Sequence, residues 1–299
     1  MENTTSESVK TVKPAQPPEA VKKAGHIALR VIIYALLIIG AFILVFPYLW
    51  MLLTSFKNDV EAMSLTLVLF PKEWMFSNYA RIWTIVPFMR GVLNTLLVEV
   101  AVVLIGTFTS ALAAFSFAKL KLRHKTFWLL FLMSGMMVPY AALMMPQFRA
   151  FMNLNMFDTL WPLILPGWFG NVSMMFFLIQ YMRGIPDAYF EAAKIDGADY
   201  FRQFIFIMLP LIKTALAAQI IFWFIGIWND YFAPSIYLKS YEVMTLQPMM
   251  ARINSDMSGG TNLPLIMAGA VLSSIPMFVI YISFQKYFIE SLSISGVKG

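Results

Sequence analysis

Residues 184–199 read Gly184-Ile185-Pro186-Asp187-Ala188-Tyr189-Phe190-Glu191-Ala192-Ala193-Lys194-Ile195-Asp196-Gly197-Ala198-Asp199. Pro186 suits the first position of a helix, and Asp187 places negative charge in its first turn, where the helix dipole favours it. Gly197 can supply the left-handed residue that stops the helix. Asp199 then fits as the N-cap of a second short helix leading to Leu209-Pro210. The expectation is a helix, a sharp glycine turn and another helix. Apolar runs flank this elbow on both sides, Leu160–Met182 before it and Leu209–Trp228 after it. Each is long enough to cross a bilayer, whose core of roughly 30 Å takes about 20 apolar residues. The elbow therefore joins two membrane spans.

Composition supports the same solvent for the rest of the chain. Hydrophobic residues make up 60% of the sequence and charged residues 13%, against about 25% charged in an ordinary soluble domain. Such a deficit fits a surface that mostly faces lipid. Four more stretches qualify as spans: Ile27–Leu53, Gly91–Phe117, Phe127–Met145 and Leu263–Phe284. Several of the six contain proline, which transmembrane helices tolerate as kinks or ends. The expected fold is an all-α integral membrane protein of six helices, with residues 184–208 as the loop between the fourth and fifth. Residues 27–289 form the membrane domain, 1–26 a disordered tail and 290–299 a C-terminal tail. The first span is too long for the apolar region of a cleaved signal peptide and lacks a small-residue cleavage pattern.

Lysine and arginine set the orientation. With the N-terminus inside, fifteen of the 22 basic residues fall on the inner side and seven on the outer. Both termini and the elbow are then cytoplasmic. The run Lys119–Lys125 lies in a short inner loop, and its simplest role is topology and headgroup contact. The net charge of +6 thus reflects membrane orientation, not nucleic acid. With no cysteine, thiolate chemistry and Cys-type metal sites are excluded. His26 and His124 are isolated in or beside basic segments and form no metal site.

On the elbow, Ala192, Ala193, Gly197 and Ala198 leave a low surface onto which a partner can pack, and Glu191 and Asp196 stand on it as acceptors for Arg or Lys. The competing reading is an amphipathic helix lying on the inner leaflet. Acidic groups suit an anionic leaflet badly, so the residues favour a docking helix.

Glu191-Ala192-Ala193, then Asp196-Gly197-Ala198, then Leu209-Pro210 resembles the EAA loop of binding-protein-dependent ABC importer permeases, the MetI-like superfamily. Asn94-Thr95-Leu96, Ala113–Ala118, Trp228-Asn229-Asp230, Gln285–Phe288 and Gly296–Gly299 are similar to the carbohydrate-uptake branch, and most of all to the smaller permease of maltose-type importers. The resemblance covers roughly Ile27 to the C-terminus. It implies a bacterial inner-membrane subunit that pairs with a second permease, two ATPase subunits and an extracytoplasmic sugar-binding protein. In that family the loop is a coupling helix seated on the ATPase, which assigns coupling to Glu191, Ala192, Ala193, Asp196, Gly197 and Ala198. No catalytic residue is expected. The sequence has no Gly-x-x-x-x-Gly-Lys-Ser/Thr phosphate loop, so ATP-Mg belongs to the partners. Two positions depart from the family pattern: Thr214, where many relatives have proline, and Glu99, where they have a small or apolar residue.

Other residues carry weaker signals. Glu99, inside the second span, costs roughly 2.5–3.5 kcal/mol on insertion scales and should face the bundle or an aqueous path. It is either a substrate or partner contact or a local partner of Arg90 or Asn94. Asn94, Trp228, Asn229 and Asp230 are candidates for the substrate path. Trp161, Trp168, Trp223, Trp228 and Tyr231 can stack on sugar rings, although interfacial belts and packing are the simpler account of such residues. Ser258, Gly259, Gly260 and Thr261 form a flexible tip, which is either an ordinary solvated loop or, as its resemblance in position to a loop of the maltose-type permease implies, a contact for the binding protein. Gly106, Ser110, Ala114 and Ala118 recur every four residues and predict close helix packing. A secondary transporter would be expected to show midplane acids and an internal repeat. An intramembrane enzyme would need a catalytic cluster, and the spans contain no His.

Overall fold

A computed structural model describes residues 19–66, 68–255 and 262–296. The elements are helices, and no strand occurs among the described residues. In chain order they are α1 Glu19–Ser55, α2 Asp59–Ala62, α3 Ser77–Ile85, α4 Phe88–Lys119, α5 Lys125–Gly135 and α6 Tyr140–Asn153. There follow α7 Trp161–Trp168, α8 Val172–Arg183, α9 Ala188–Ile195 and α10 Tyr200–Gln203. After a π-helical turn at Phe204–Met208 come α11 Leu209–Leu211, α12 Lys213–Trp228, α13 Phe232–Tyr237, α14 Leu246–Ser255 and α15 Leu263–Gly296.

The chain divides into two compact units, Met1–Trp50 and Met51–Gly299. In the first, α1 starts at Glu19, ahead of the apolar run, and carries the pair Lys22-Lys23 in its opening turns. Four consecutive side chains, Leu36, Leu37, Ile38 and Ile39, are all exposed. A helix apolar on every side belongs in lipid or against another chain.

In the second unit α4 is the central pillar. It packs against α7, α8, α12 and α14. The small-residue stripe makes this possible: a Cβ on Gly106 would lie 2.3 Å from the Trp223 ring and 2.4 Å from the Gly167 carbonyl oxygen. Ser110 Oγ donates to the Gly106 carbonyl and accepts the backbone N–H of Asn171. Asn171 in turn caps α8 by accepting from Met174 N. Around this seam Ala111, Ala114 and Phe115 of α4 bury against Leu178, Ile179 and Met182 of α8 and Phe204 and Met208 of the π-turn. At the other end of α4, Trp228, Met244, Leu246 and Met249 close a second core with Ile82 and Leu265.

Among the described residues, four helices or helix pairs are straight enough, long enough and apolar enough to cross a membrane: Leu29–Ser55, Phe88–Lys119, Trp161–Arg183 and Leu263–Lys286. Two further helix pairs among the described residues are long and apolar enough together but sharply bent, as in a broken span or a re-entrant loop: Lys125–Gly135 with Tyr140–Asn153 by 88° and Tyr200–Leu211 with Lys213–Trp228 by 79°. The sequence read these as the single spans Phe127–Met145 and Leu209–Trp228, with their prolines as kinks or ends. The first break comes at Met136–Pro139, where Pro139 takes an extended conformation before α6. The second comes at Ile212, with φ −100° and ψ 9°. At the far end α15 continues to Gly296, beyond the Phe284 limit of its apolar run.

Candidate functional site

The stop of α9 and the start of α10 fall where the sequence places them. The last turn of α9 closes through two bonds, Ala198 N to Ala193 O at 2.9 Å and Gly197 N to Lys194 O at 3.1 Å. This is the paired arrangement of a Schellman stop, with Gly197 at φ +82° in the left-handed position. Asp199 Oδ1 accepts Arg202 N at 2.7 Å and caps α10, while Gln203 Nε2 donates back to the Ala198 carbonyl.

The start of α9 differs from expectation. Helix α9 begins at Ala188, so Pro186 lies ahead of its first turn, and Asp187 occupies the cap position without a side-chain capping bond. The Asp187 carboxylate is engaged elsewhere. Lys119, the last residue of α4, donates to Asp187 Oδ1 and to the Ile185 carbonyl, both at 2.6 Å. Its ammonium also lies 5.3 Å from the centre of the Phe190 ring. The Lys119 side chain is 8% exposed, whereas that of Asp187 is 75% exposed. Lys119 thus ties the end of α4 to the entrance of the elbow, a role its place in a basic run did not reveal.

Phe190 is the buried anchor of α9, packed into the α4–α8 core. The opposite surface is open: Glu191, Ala192, Asp196 and Gly197 are exposed, and Ala193 and Ala198 are half-buried. Tyr189 and Ile195 stand out beside them, Ile195 at 87% exposure. The elbow presents small, acidic and apolar groups together on a face left exposed among the described residues. Sequence reasoning did not single out Tyr189 and Ile195. An apolar residue exposed to this degree on a polar loop is recognisable only once α9 is oriented by Phe190.

The second feature is a cavity of about 350 Å³ lined by residues of α4, α6, α7, α12 and α13. Apolar walls come from Val98, Val102, Pro166 and Ile227, and polar groups from Thr95, Tyr140, Gln147, Asp230 and Thr245. A neighbouring space of about 250 Å³, lined by Asn171, Ser173 and Gln219, shares Trp223 with it.

Of the candidate path residues, Asp230 reaches the cavity, and its Oδ1 accepts Phe232 N at the start of α13. Asn94, Trp228 and Asn229 have side-chain N–H groups engaged inside the fold. Asn94 Nδ2 donates to the carbonyls of Glu242 and Met244. Trp228 is 1% exposed, stacks on Phe224 and donates to the Ser273 carbonyl. Asn229 Nδ2 bonds back to the Ile225 carbonyl. Glu99 is 2% exposed, and neither carboxyl oxygen has a hydrogen-bond partner among the described residues. Arg90 and Asn94 therefore do not satisfy it. Ser258, Gly259, Gly260 and Thr261 lie outside the described residues. Among the described residues no three His, Asp or Glu side chains converge as a metal site would require.

The chain was compared with known proteins. It is 31% identical over 262 residues to the arabinooligosaccharides transport system permease protein AraQ of Halalkalibacterium halodurans, covering 87% of this chain and 93% of that one. It is 30% identical to the diacetylchitobiose uptake system permease protein NgcG of Streptomyces coelicolor, covering 87% and 86%. The sn-glycerol-3-phosphate transport system permease protein UgpE of Yersinia enterocolitica is 28% identical over 88% and 96%. A chain of a bacterial ABC transporter involved in the import of the acidic polysaccharide alginate superposes with a TM-score of 0.77 at 23% identity, covering 87% and 96%, a likeness of fold. The family model for the inner membrane component of binding-protein-dependent transport systems matches residues 20–294, and the chain belongs to that family.

Proposed function

We propose that this chain is the membrane-spanning half of an ATP-driven carbohydrate importer, forming the translocation path with a second permease. Two ATPase subunits bind the α9 elbow from the cytoplasm, and an extracytoplasmic binding protein delivers the cargo. Family membership over 20–294 supports the importer class. The arabinooligosaccharides and diacetylchitobiose named for two relatives support a glycoside as cargo.

One observation carries the coupling role. The elbow is fixed rigidly from within, by Phe190, the Schellman stop and Lys119, yet leaves its outer face of Glu191, Ala192, Ile195 and Asp196 unpartnered. A rigid, uncovered surface suits the transmission of force between chains. Closure of the ATPase pair pushes α9, and Lys119 and Phe190 pass that motion to α4 while α10 and the π-turn pass it to α12. Rigid-body rocking of the two permeases then alternates access. ATP and Mg are held by the ATPase subunits, and this chain supplies no group to hydrolysis.

The test is purification of the assembly in nanodiscs with its co-expressed partners. Expected are a nucleotide-hydrolysing subunit in the complex and ATP turnover that rises with the loaded binding protein. A complex without such a subunit, or thiol labelling that places an Asp196→Cys side chain outside the cell, would sink the proposal.

A further inference from the structure

Helix α3 is apolar on two opposite sides. One side enters the core: Asn78 and Ile82 are buried, and Ile82 belongs to the cluster of Trp228 and Leu265. At about 3.6 residues per turn, Phe76, Ala80 and Trp83 share the opposite side. All three are exposed, Phe76 at 67% and Trp83 at 47%. Trp74, just ahead of the helix, is 50% exposed and stacks on Phe76. A helix apolar on two faces needs two apolar surroundings. The core supplies one, and the aromatic face calls for another.

Two membrane spans fix the depth of that face. The span of α1 ends at Ser55, and the span of α4 begins at Phe88. The ring of Phe56, one residue past Ser55, lies 5.3 Å from that of Trp74 and 5.1 Å from that of Phe76. The Phe56 carbonyl accepts Met75 N at 2.8 Å. Asn78 Nδ2 donates to the carbonyls of Ser55 and Lys57, and the hydroxyls of Ser55 and Tyr79 are 2.7 Å apart. The start of α3 is thus bonded to the end of α1. At the other end, the Trp83 ring is 5.1 Å from that of Phe88. The polar interfacial layer of a bilayer is roughly 5–7 Å deep on each side, so rings this close to both span ends lie in it or at its border. Tryptophan is favoured at that depth, with its body among acyl chains and its N–H towards water. Charge agrees with lipid as the occupant. Between Pro71 and Arg90, Lys72, Arg81 and Arg90 stand against one carboxylate, Glu73, and long cationic side chains reach headgroups from the interface.

We propose that Trp74, Phe76, Ala80 and Trp83 form an interfacial anchor. Helix α3 lies in the headgroup layer where α1 leaves the membrane and α4 enters it, with this face on the acyl chains. Through Asn78, Tyr79 and Ile82 the anchor sets the depth of the end of α1 and of the core that α3 shares with α15.

Because the chain has no cysteine, Phe76→Cys, Ala80→Cys, Trp83→Cys and Thr84→Cys each carry one thiol for a bimane fluorophore in the nanodisc-held assembly. Ala80→Cys removes no ring, and Thr84, exposed on the flank of α3, is the control. The quenchers are phosphatidylcholine brominated high or low on its acyl chains, and aqueous iodide. Expected at 76, 80 and 83 is greater loss of emission to the shallow bromines than to the deep ones, with little loss to iodide. Thr84→Cys should be quenched chiefly by iodide. Iodide quenching alone at the three face positions would place them in water, and stronger quenching by deep bromines would place them in the hydrocarbon core. Quenching by neither would show the face covered by another chain. Each of these overturns the inference, as does one profile shared by all four positions. Iodide quenching that disappears when the loaded binding protein is added would assign the face to that protein instead. The measurement needs neither ATP nor cargo, so it succeeds or fails independently of the importer reading.

Discussion

Replacing Lys119 with methionine keeps the length and packing of the stem but removes the ammonium that joins α4 to the elbow. The donated bond to the Ile185 carbonyl is shielded, because the Lys119 side chain is 8% exposed. Hydrogen bonds to a charged group are worth about 1.5–3 kcal/mol. The pair with Asp187 is different, since that carboxylate is 75% exposed, and screening leaves such pairs about 0.2–1 kcal/mol. The Phe190 ring adds about 0.5–1 kcal/mol. These contributions overlap, so Lys119→Met should loosen the entrance of the elbow by roughly 2 kcal/mol, about a thirtyfold rise in local opening. Asp187→Asn keeps the carbonyl bond and should stay under about 1 kcal/mol, or fivefold. Hydrogen exchange at the amides of Ile185, Phe190 and Glu191 in the assembled complex measures both. In transport, Lys119→Met should raise the ATP hydrolysed per cargo molecule while assembly survives. Equal exchange in Lys119→Met and wild type, or a larger effect from Asp187→Asn, would refute the reasoning.

Three further outcomes follow from specific geometry. Gly197 sits at φ +82° with no atom within 4 Å of an added Cβ, so Gly197→Ala should cost about 1–2 kcal/mol of backbone strain alone. Gly197→Val should insert normally yet uncouple hydrolysis from uptake, and normal uptake by it counts against the elbow as coupler. Gly106→Val drives a side chain into Trp223 and the Gly167 carbonyl; overpacking of at least about 1–3 kcal/mol should reduce monodisperse protein on size exclusion, and an unchanged yield would contradict the α4 seam. Asp158, between α6 and α7, would have its pKa raised by burial, but the N–H groups of Ser240 and Lys239, with the Ser240 hydroxyl and the Lys239 charge, hold it below the usual value. Its folded-state pKa is therefore the lower one, so its stabilisation is complete above the ordinary carboxylate pKa and is lost as pH falls through the depressed value. Asp158→Asn should flatten that acid-side fall in a series of melting temperatures against pH, and an unaltered slope would remove Asp158 from the account.

The features legible in the sequence are those whose causes are local. Lipid as solvent follows from composition, and the elbow from Gly197, Asp199 and their immediate neighbours, so both were read without contacts. The small-residue stripe of α4 was read from its spacing and packs as expected against α7, α8 and α12. The two bends were not legible. Proline at a membrane helix permits either a kink or a straight run, and Ile212 carries no breaking signal at all. Helices α5 and α12, one from each bent pair, both pack against α8.

What the sequence could not supply were the roles that depend on residues far apart meeting. Lys119 looked like one of four interchangeable inner cations, and its distinction is a partner 68 positions away. Glu99 had two plausible neighbours one or two turns off, yet Asn94 is taken by Glu242 and Met244, about 150 positions distant. The cavity draws on Thr95, Gln147, Trp223, Asp230 and Thr245, no two on the same helix face. Local chemistry therefore identified the elbow, while long-range packing decided which residues line the cavity. Helix α4 belongs to both, since its Lys119 end is fastened to the elbow and its Thr95–Val102 turns line the cavity. A displacement of the elbow cannot leave those turns unmoved unless α4 bends between them, and Gly106, clamped between Trp223 and Gly167, is where the packing opposes such a bend.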